Sequence, residues 1–196
     1  GHTTQGAETV IGLSLTGLSD APLGQGGAKP GDVLVLTRPI GSGVILAGEM
    51  QGRADGRDVA AMLNAMDTPQ GETARQLAPV AHAMTDVTGF GLAGHLARMM
   101  AASGTGAEIT LGDVPLYPGA LALAEDGIRS ALADENRAGA PGLDAPGARA
   151  ALLFDPQTCG GLLAAVPEDA LPDLQAGFPD LRQIGRVTAT PGLALR

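Results

Sequence analysis

Met84-Thr85-Asp86-Val87-Thr88-Gly89-Phe90-Gly91-Leu92-Ala93-Gly94-His95-Leu96 joins a strand pattern to a helix pattern through glycines. Val80 to Thr85 reads as a strand that delivers a lone carboxylate, Asp86. Gly89, Gly91 and Gly94 follow. Leu92, Leu96, Met99 and Met100 then fall at i, i+4, i+7 and i+8, the stripe of a helix with one buried face. Such a junction offers a place for an anion. Glycines let the backbone approach a ligand, and a new helix turns unpaired N–H groups toward it, with roughly half a positive charge. Asp86 stands where a divalent cation could bridge protein and phosphate oxygens. An ordinary strand–helix junction uses the same residues, with Asp86 as the helix N-cap. The stretch alone leaves both readings open.

The segments before it supply more strands and helices. Ile11, Leu13 and Leu15 alternate with Gly12, Ser14 and Thr16, as in a half-buried strand. Lys29-Pro30-Gly31-Asp32 suits a type II turn, and Val33-Leu34-Val35-Leu36 a strand covered on both faces. Ile40 to Met50 turns into a helix through Gly41 and Gly43. Val59, Met62, Leu63 and Met66 form the core face of another helix, and Thr73 to Leu77 a third that Pro79 closes.

After the stretch, Gly104 is the expected left-handed cap. Ala107, Ile109 and Leu111 alternate as a strand, and Leu121 to Glu125 is a short helix. Asn136-Arg137 falls in a polar loop, and Ala138 to Gly147 reads as a long mobile loop. Leu162 to Val166 is a strand. Glu168 to Ala176 is a helix that Pro172 disturbs. Ile184, Arg186 and Thr188 share one side of a last strand, with which Leu193 to Arg196 pairs. Strands and helices mix without strict alternation, so the fold class is α+β or mixed layers, a mixed sheet covered by helices.

Composition narrows the function. The chain has 196 residues, 44% of them hydrophobic, with no Trp, one Tyr and three Phe, so its core is aliphatic. Its net charge of −9, from 12 basic and 21 acidic residues, leaves no basic stripe for nucleic acid. An acidic protein that handles phosphate relies on backbone N–H groups or a divalent metal. A single cysteine excludes an internal disulfide. No apolar run reaches the roughly 18 residues of a membrane helix, and no signal peptide precedes the first strand pattern. The expectation is a cytoplasmic protein without membrane or nucleic-acid partners.

Other residues carry two readings each. Thr85 and Thr88 suit phosphate donors or turn residues. Gly89 and Gly91 suit close ligand approach or positive φ, and Gly94 close packing of the helix on the sheet. Phe90 reads as a core plug rather than a stacking platform, and His95 as a hydrogen-bonded core or boundary residue rather than a ligand. Cys159 has no adjacent basic residue in sequence to lower its pKa, and reads as a small buried hydrophobe. Asp155 is a turn residue or a second ligand. Arg137 is a solvated loop residue or a bidentate phosphate contact.

The Met84–Leu96 stretch resembles the signature of the selenophosphate synthetase (selenide, water dikinase) family. Further blocks agree in order: Gly1-His2-Thr3 with Glu8, Leu36-Thr37-Arg38-Pro39-Ile40-Gly41-Ser42-Gly43-Val44, and Asp155-Pro156-Gln157-Thr158-Cys159-Gly160-Gly161-Leu162-Leu163. Cys159 stands where that family usually has Ser. The resemblance implies a layered α-β-α domain of the aminoimidazole ribonucleotide synthetase superfamily over residues 29–196. Residues 1–28 would be the last strand of an N-terminal ATP-binding domain and a linker. It further implies a homodimer that uses ATP, Mg2+ and selenide, with Asp86 as a metal ligand and Thr85, Thr88, Gly89 and Gly91 at the nucleotide. The other metal aspartates, the essential lysine and the reactive Cys or Sec belong to a segment before Gly1, so the chain alone is expected to hold no catalytic residue. The alternatives are an enzyme like aminoimidazole ribonucleotide synthetase or thiamine-monophosphate kinase, or a non-catalytic nucleotide-binding domain.

Overall fold

Val33-Leu34-Val35-Leu36 forms β1 (Val33–Leu36), and all of it is buried. The turn that feeds it has the Asp32 N–H donating to the Lys29 carbonyl at 3.0 Å. Gly31 there has φ +96°, the positive φ a type II turn demands. The computed structural model describes Ser14 and residues 16–196. The expected strand over Ile11, Leu13 and Leu15, and the block of Gly1, His2, Thr3 and Glu8, lie outside the described residues.

The other strands are β2 (Ala83–Asp86), β3 (Gly106–Ile109), β4 (Leu162–Val166), β5 (Arg182–Thr188) and β6 (Gly192–Leu195). They form one sheet in the order β2-β4-β1-β5-β3-β6. Every neighbouring pair is antiparallel except β3 with β6, which is parallel. The sheet is therefore mixed, as expected. The helices are α1 (Ser42–Met50), α2 (Gly56–Asp67), α3 (Gly71–Leu77), α4 (Gly91–Ser103), α5 (Ala120–Glu125), α6 (Ala133–Gly139), α7 (Ala148–Ala151) and α8 (Leu171–Gly177).

Period-two alternation sends the two sides of each strand into different layers. Leu34 and Leu36, with Ala83, Leu163 and Ile109, meet α1, α2, α4 and α5 in the larger core. Val33 and Val35, with Ala164 and Val166, meet Leu77 of α3 and Leu174 of α8 on the opposite face. Helices thus cover both faces, the α-β-α layering of an α+β fold.

Several expectations change. Leu193 to Arg196 does not pair with β5; β6 runs parallel to β3, with Leu193 opposite Ala107. A register shift between Leu34 and Val35 breaks the alternation of β5. Ile184 and Val187 consequently share one core, although strict alternation would separate them. Leu111 leaves the strand for a 3-10 turn, Leu111–Asp113. Leu63 is 49% exposed and leaves the core face of α2 to Met62, with Val59 and Met66 packed partly buried beside it. Pro172 opens α8 in its first turn rather than disturbing a helix interior. The expected long loop is shortened at its start and interrupted within: Ala138 and Gly139 complete α6, and Pro141–Leu143 is a 3-10 turn. Asn136 and Arg137 sit on α6, not in a loop. That helix has no apolar period to betray it; Asp134 and Glu135 in its first turn suit the dipole instead.

Candidate functional site

Alternation along β2 separates the two residues at its end. Thr85, opposite Leu163, is buried, and Asp86, opposite Leu162, is exposed. The Thr85 hydroxyl is engaged, accepting from Gln25 Nε2 at 3.2 Å and donating to the Asp86 carbonyl at 3.3 Å. Asp86 is not the helix N-cap. Phe90 holds that position on α4, and no side chain caps the helix. Four residues of turn put the carboxylate out of capping reach. Among the described residues no hydrogen bond to it is made.

The turn from Val87 to Gly91 is held from three sides. The Gly91 N–H and the Gln157 N–H both donate to the Thr88 carbonyl, each at 3.0 Å. Asn136 Nδ2 donates to the Gly89 carbonyl at 2.8 Å and to the Phe154 carbonyl at 3.0 Å. Gly91 has φ +68°, and a Cβ there would lie 2.9 Å from the Leu153 carbonyl oxygen. Its glycine is required by the backbone, with or without a ligand. Around Gly89 a Cβ would meet nothing within 4 Å, so that backbone is open to approach. A Cβ on Gly94 would lie 2.8 Å from Phe90 Cβ. Its close neighbour is therefore Phe90 and not the sheet.

His95 fixes Thr88. The Thr88 N–H donates to His95 Nε2 at 3.0 Å, and the Thr88 hydroxyl lies 3.1 Å from the same nitrogen. The ring proton accordingly sits on Nδ1, which is buried without a partner. Burial holds the imidazole below its ordinary pKa, with nearby Asp86 opposing and Arg98 adding to the shift. It is the hydrogen-bonded structural residue expected, neutral at Nε2 and on the buried side at 6% exposure. Phe90 is not a core plug: it is 46% exposed, with the Arg98 guanidinium 3.7 Å over its ring.

Beyond the Gln157 N–H that reaches Thr88, the side chains of Gln157 and Asp155 hold the start of α1. Gln157 Oε1 accepts from the Gly41 N–H at 3.0 Å, the Ser42 N–H at 3.1 Å and the Ser42 hydroxyl at 3.0 Å. Asp155 Oδ2 accepts from the Gly43 N–H at 2.9 Å and from Gln157 Nε2 at 3.0 Å. These two side chains cap α1 across more than a hundred residues of sequence. Burial pushes the Asp155 carboxyl up to about 6, against N–H groups of Val44, Gln157 and Gly43 that favour its charge. Asp155 is thus a buried bracing group, not a solvent-facing turn.

Cys159 differs from expectation on two counts. It is exposed, with φ 49°. A cation also stands beside it: Arg38 Nη1 lies 3.6 Å from Sγ and donates to the Cys159 carbonyl at 2.8 Å. Sequence adjacency could not reveal a neighbour so distant along the chain. Arg137 donates to Asp144 Oδ1 at 2.7 Å, and Arg137 and Asp155 line a common cavity of about 460 Å3. Asn136, Gln157 and Arg38 are the structuring residues that sequence reasoning passed over. Their single polar side chains have no periodic signature.

The metal question turns on one carboxylate. Among the described residues no cluster of three His, Cys, Asp or Glu could hold an ion. Mg2+ commonly takes one or two carboxylates and completes its octahedron with phosphate oxygens and water. A lone exposed Asp86 fits that role as a single ligand and fits no all-protein cage. Among the described residues no helix is long and apolar enough to cross a membrane.

Residues 29–196 match the family model described as AIR synthase related protein, C-terminal domain. The chain is similar to proteins named selenide, water dikinase. One from Burkholderia pseudomallei is 37% identical over 190 residues, covering 92% of this chain and 53% of the relative. One from Myxococcus xanthus is 38% identical over 208 residues, covering 98% and 59%. The chain spans about half the length of the curated relatives it matches. Among solved structures, a thiamine-monophosphate kinase from Stenotrophomonas maltophilia superposes with a TM-score of 0.63 at 21% identity, covering 88% of this chain and 52% of that one. A hydrogenase maturation protein, HypE, gives 0.62 at 19%, covering 88% and 49%. At these identities the likeness concerns the fold.

Proposed function

The chain belongs to the AIR synthase related C-terminal domain family, and on that premise we propose that it forms half of an ATP-dependent phosphotransferase. The enzyme makes selenophosphate from selenide, ATP and water, and releases AMP and phosphate. Similarity along nearly the whole chain to proteins named selenide, water dikinase supports the reaction. The observation that carries the site is the exposed Asp86 carboxylate, unclaimed among the described residues, at the end of β2.

In this reading Asp86 is one ligand of the Mg2+ that accompanies ATP. The ion supplies neutralisation of charge on the transferring phosphoryl group. Thr88 and the open backbone at Gly89 face the phosphates. Thr85 and Gly91 act from behind: Thr85 Oγ1 is bonded to the Asp86 carbonyl, and Gly91 bonds Thr88. Neutral His95 holds Thr88 without adding a positive charge. Residues 29–196 form the C-terminal domain, and 1–28 link it to an ATP-binding domain that brings the reactive groups. The assembly is a cytoplasmic homodimer.

The test joins these residues to the N-terminal half of the Myxococcus xanthus relative and follows ATP by phosphorus NMR. Selenide-dependent AMP, phosphate and selenophosphate are expected, with Asp86→Asn lowering turnover about a hundredfold or more, the loss of a charge-stabilising group at phosphoryl transfer. ADP as the end product, or full activity in Asp86→Asn, contradicts the proposal.

A further inference from the structure

Two strands from β2, the chain leaving β1 opens into a second cavity. Its volume is about 500 Å3, within the range of small-molecule sites. Pro39, Pro69, Pro115, Pro118 and Phe178 give it stiff apolar walls. Two polar side chains in its lining, Arg38 and Tyr117, are almost wholly buried, at 6% and 5% exposure.

Each lacks something a buried polar group ordinarily has, Arg38 a counter-charge and Tyr117 a hydrogen-bond partner. Arg38 donates to the carbonyls of Thr68 and Cys159, at 2.6 and 2.8 Å. Its remaining polar contact is the Cys159 sulfur. Among the described residues no carboxylate lies within ion-pair distance of it. A buried cation held only by neutral acceptors is costly and favours an anion nearby. The Tyr117 hydroxyl is buried and has no hydrogen-bond partner, an arrangement native proteins rarely leave unexplained. Burial raises the hydroxyl's pKa, with nearby Arg38 opposing and Cys159 adding to the shift. Arg182 and Asp180 also line the cavity, and both are exposed. One positive and one negative charge there roughly cancel, leaving Arg38 to decide the sign.

We propose that this cavity binds a small organic anion. Its carboxylate or phosphate head accepts from Arg38 and the Tyr117 hydroxyl, and its compact apolar body lies against the prolines. The chain has one Tyr and no Trp, so its intrinsic emission reports on Tyr117 alone. The 196-residue chain is titrated with cyclohexanecarboxylate, and separately with inorganic phosphate as the head alone, at constant ionic strength. No nucleotide or magnesium is present, so the result is independent of the function proposed above.

A saturable change is expected, at lower concentration for the carboxylate than for phosphate. Arg38→Gln weakens it about tenfold or more, the loss of a charge-assisted hydrogen bond. Tyr117→Phe, followed by calorimetry, weakens it in the same direction. Circular dichroism checks each variant. If Arg38→Gln fails to fold, the isosteric Tyr117→Phe decides alone. A linear, unsaturable response overturns the proposal, as does unchanged affinity in Tyr117→Phe. Tighter binding of phosphate than of the carboxylate overturns the role given to the apolar walls.

Discussion

Asp155 shows how one buried carboxyl sets a pH dependence. Its folded pKa of about 6 lies above its ordinary value of 3.8 because burial disfavours the charge. The native state therefore holds the proton more tightly than the unfolded chain. The sign follows from linkage: this contribution is fully present below about pH 4 and is lost as pH rises through 6, about 3 kcal/mol in all. Asp155→Asn keeps an oxygen for the Gly43 N–H and cannot ionise. Urea unfolding at pH 4.5 and 7 should show the wild type losing stability over that interval relative to Asp155→Asn. Parallel pH profiles would remove Asp155 from the account. Residues of this kind were the hardest to read in sequence. Asp-Pro opens many turns, and nothing local says that its carboxylate faces a helix end far along the chain. Gly91 was legible as a glycine of positive φ, which it has at +68°, but the Leu153 carbonyl oxygen where a Cβ would stand was not.

Element by element, legibility followed periodicity. β1, β4 and α4 announce themselves through continuous or stripe-like apolar patterns, and the structure places them within a residue or two. α6 escaped because its seven residues, Ala133–Gly139, carry no stripe. What holds it is Asn136, bonded to two carbonyls of other elements. α1 has the same character: no side chain of its own caps it, and Gln157 does so from beside β4. Gln157→Ala leaves the Gly41 and Ser42 N–H groups without their acceptor and should cost about 2–3 kcal/mol. Chemical denaturation would measure it. A loss within a few tenths of a kcal/mol would mean that water replaces the glutamine and that α1 needs no remote cap.

For the whole molecule, layer composition was readable and strand order was not. Alternating and continuous apolar strands with amphipathic helices imply a mixed sheet between helical layers. Nothing local could say that β6 lies parallel on β3, because its Leu193 and Leu195 would suit any edge. Long-range pairing also unites the blocks that matter: Arg38 reaches Cys159, and Gln157 reaches Gly41, through strands that neighbour each other only in the folded sheet. The candidate site was half legible for the same reason. Asp86, its glycines and His95 stand in one stretch, whereas Asn136 and Gln157 hold that stretch by contacts that only folding creates. The central claim is that Asp86 binds the metal of a metal–nucleotide. Nitrogen-15 NMR of the chain with substoichiometric Mn2+-ATP tests it, since the paramagnetic ion broadens the amides nearest to it. The account predicts broadening that begins at Asp86 to Gly89 and disappears in Asp86→Asn; sharp signals there with broadening elsewhere, or the same pattern in Asp86→Asn, would contradict it.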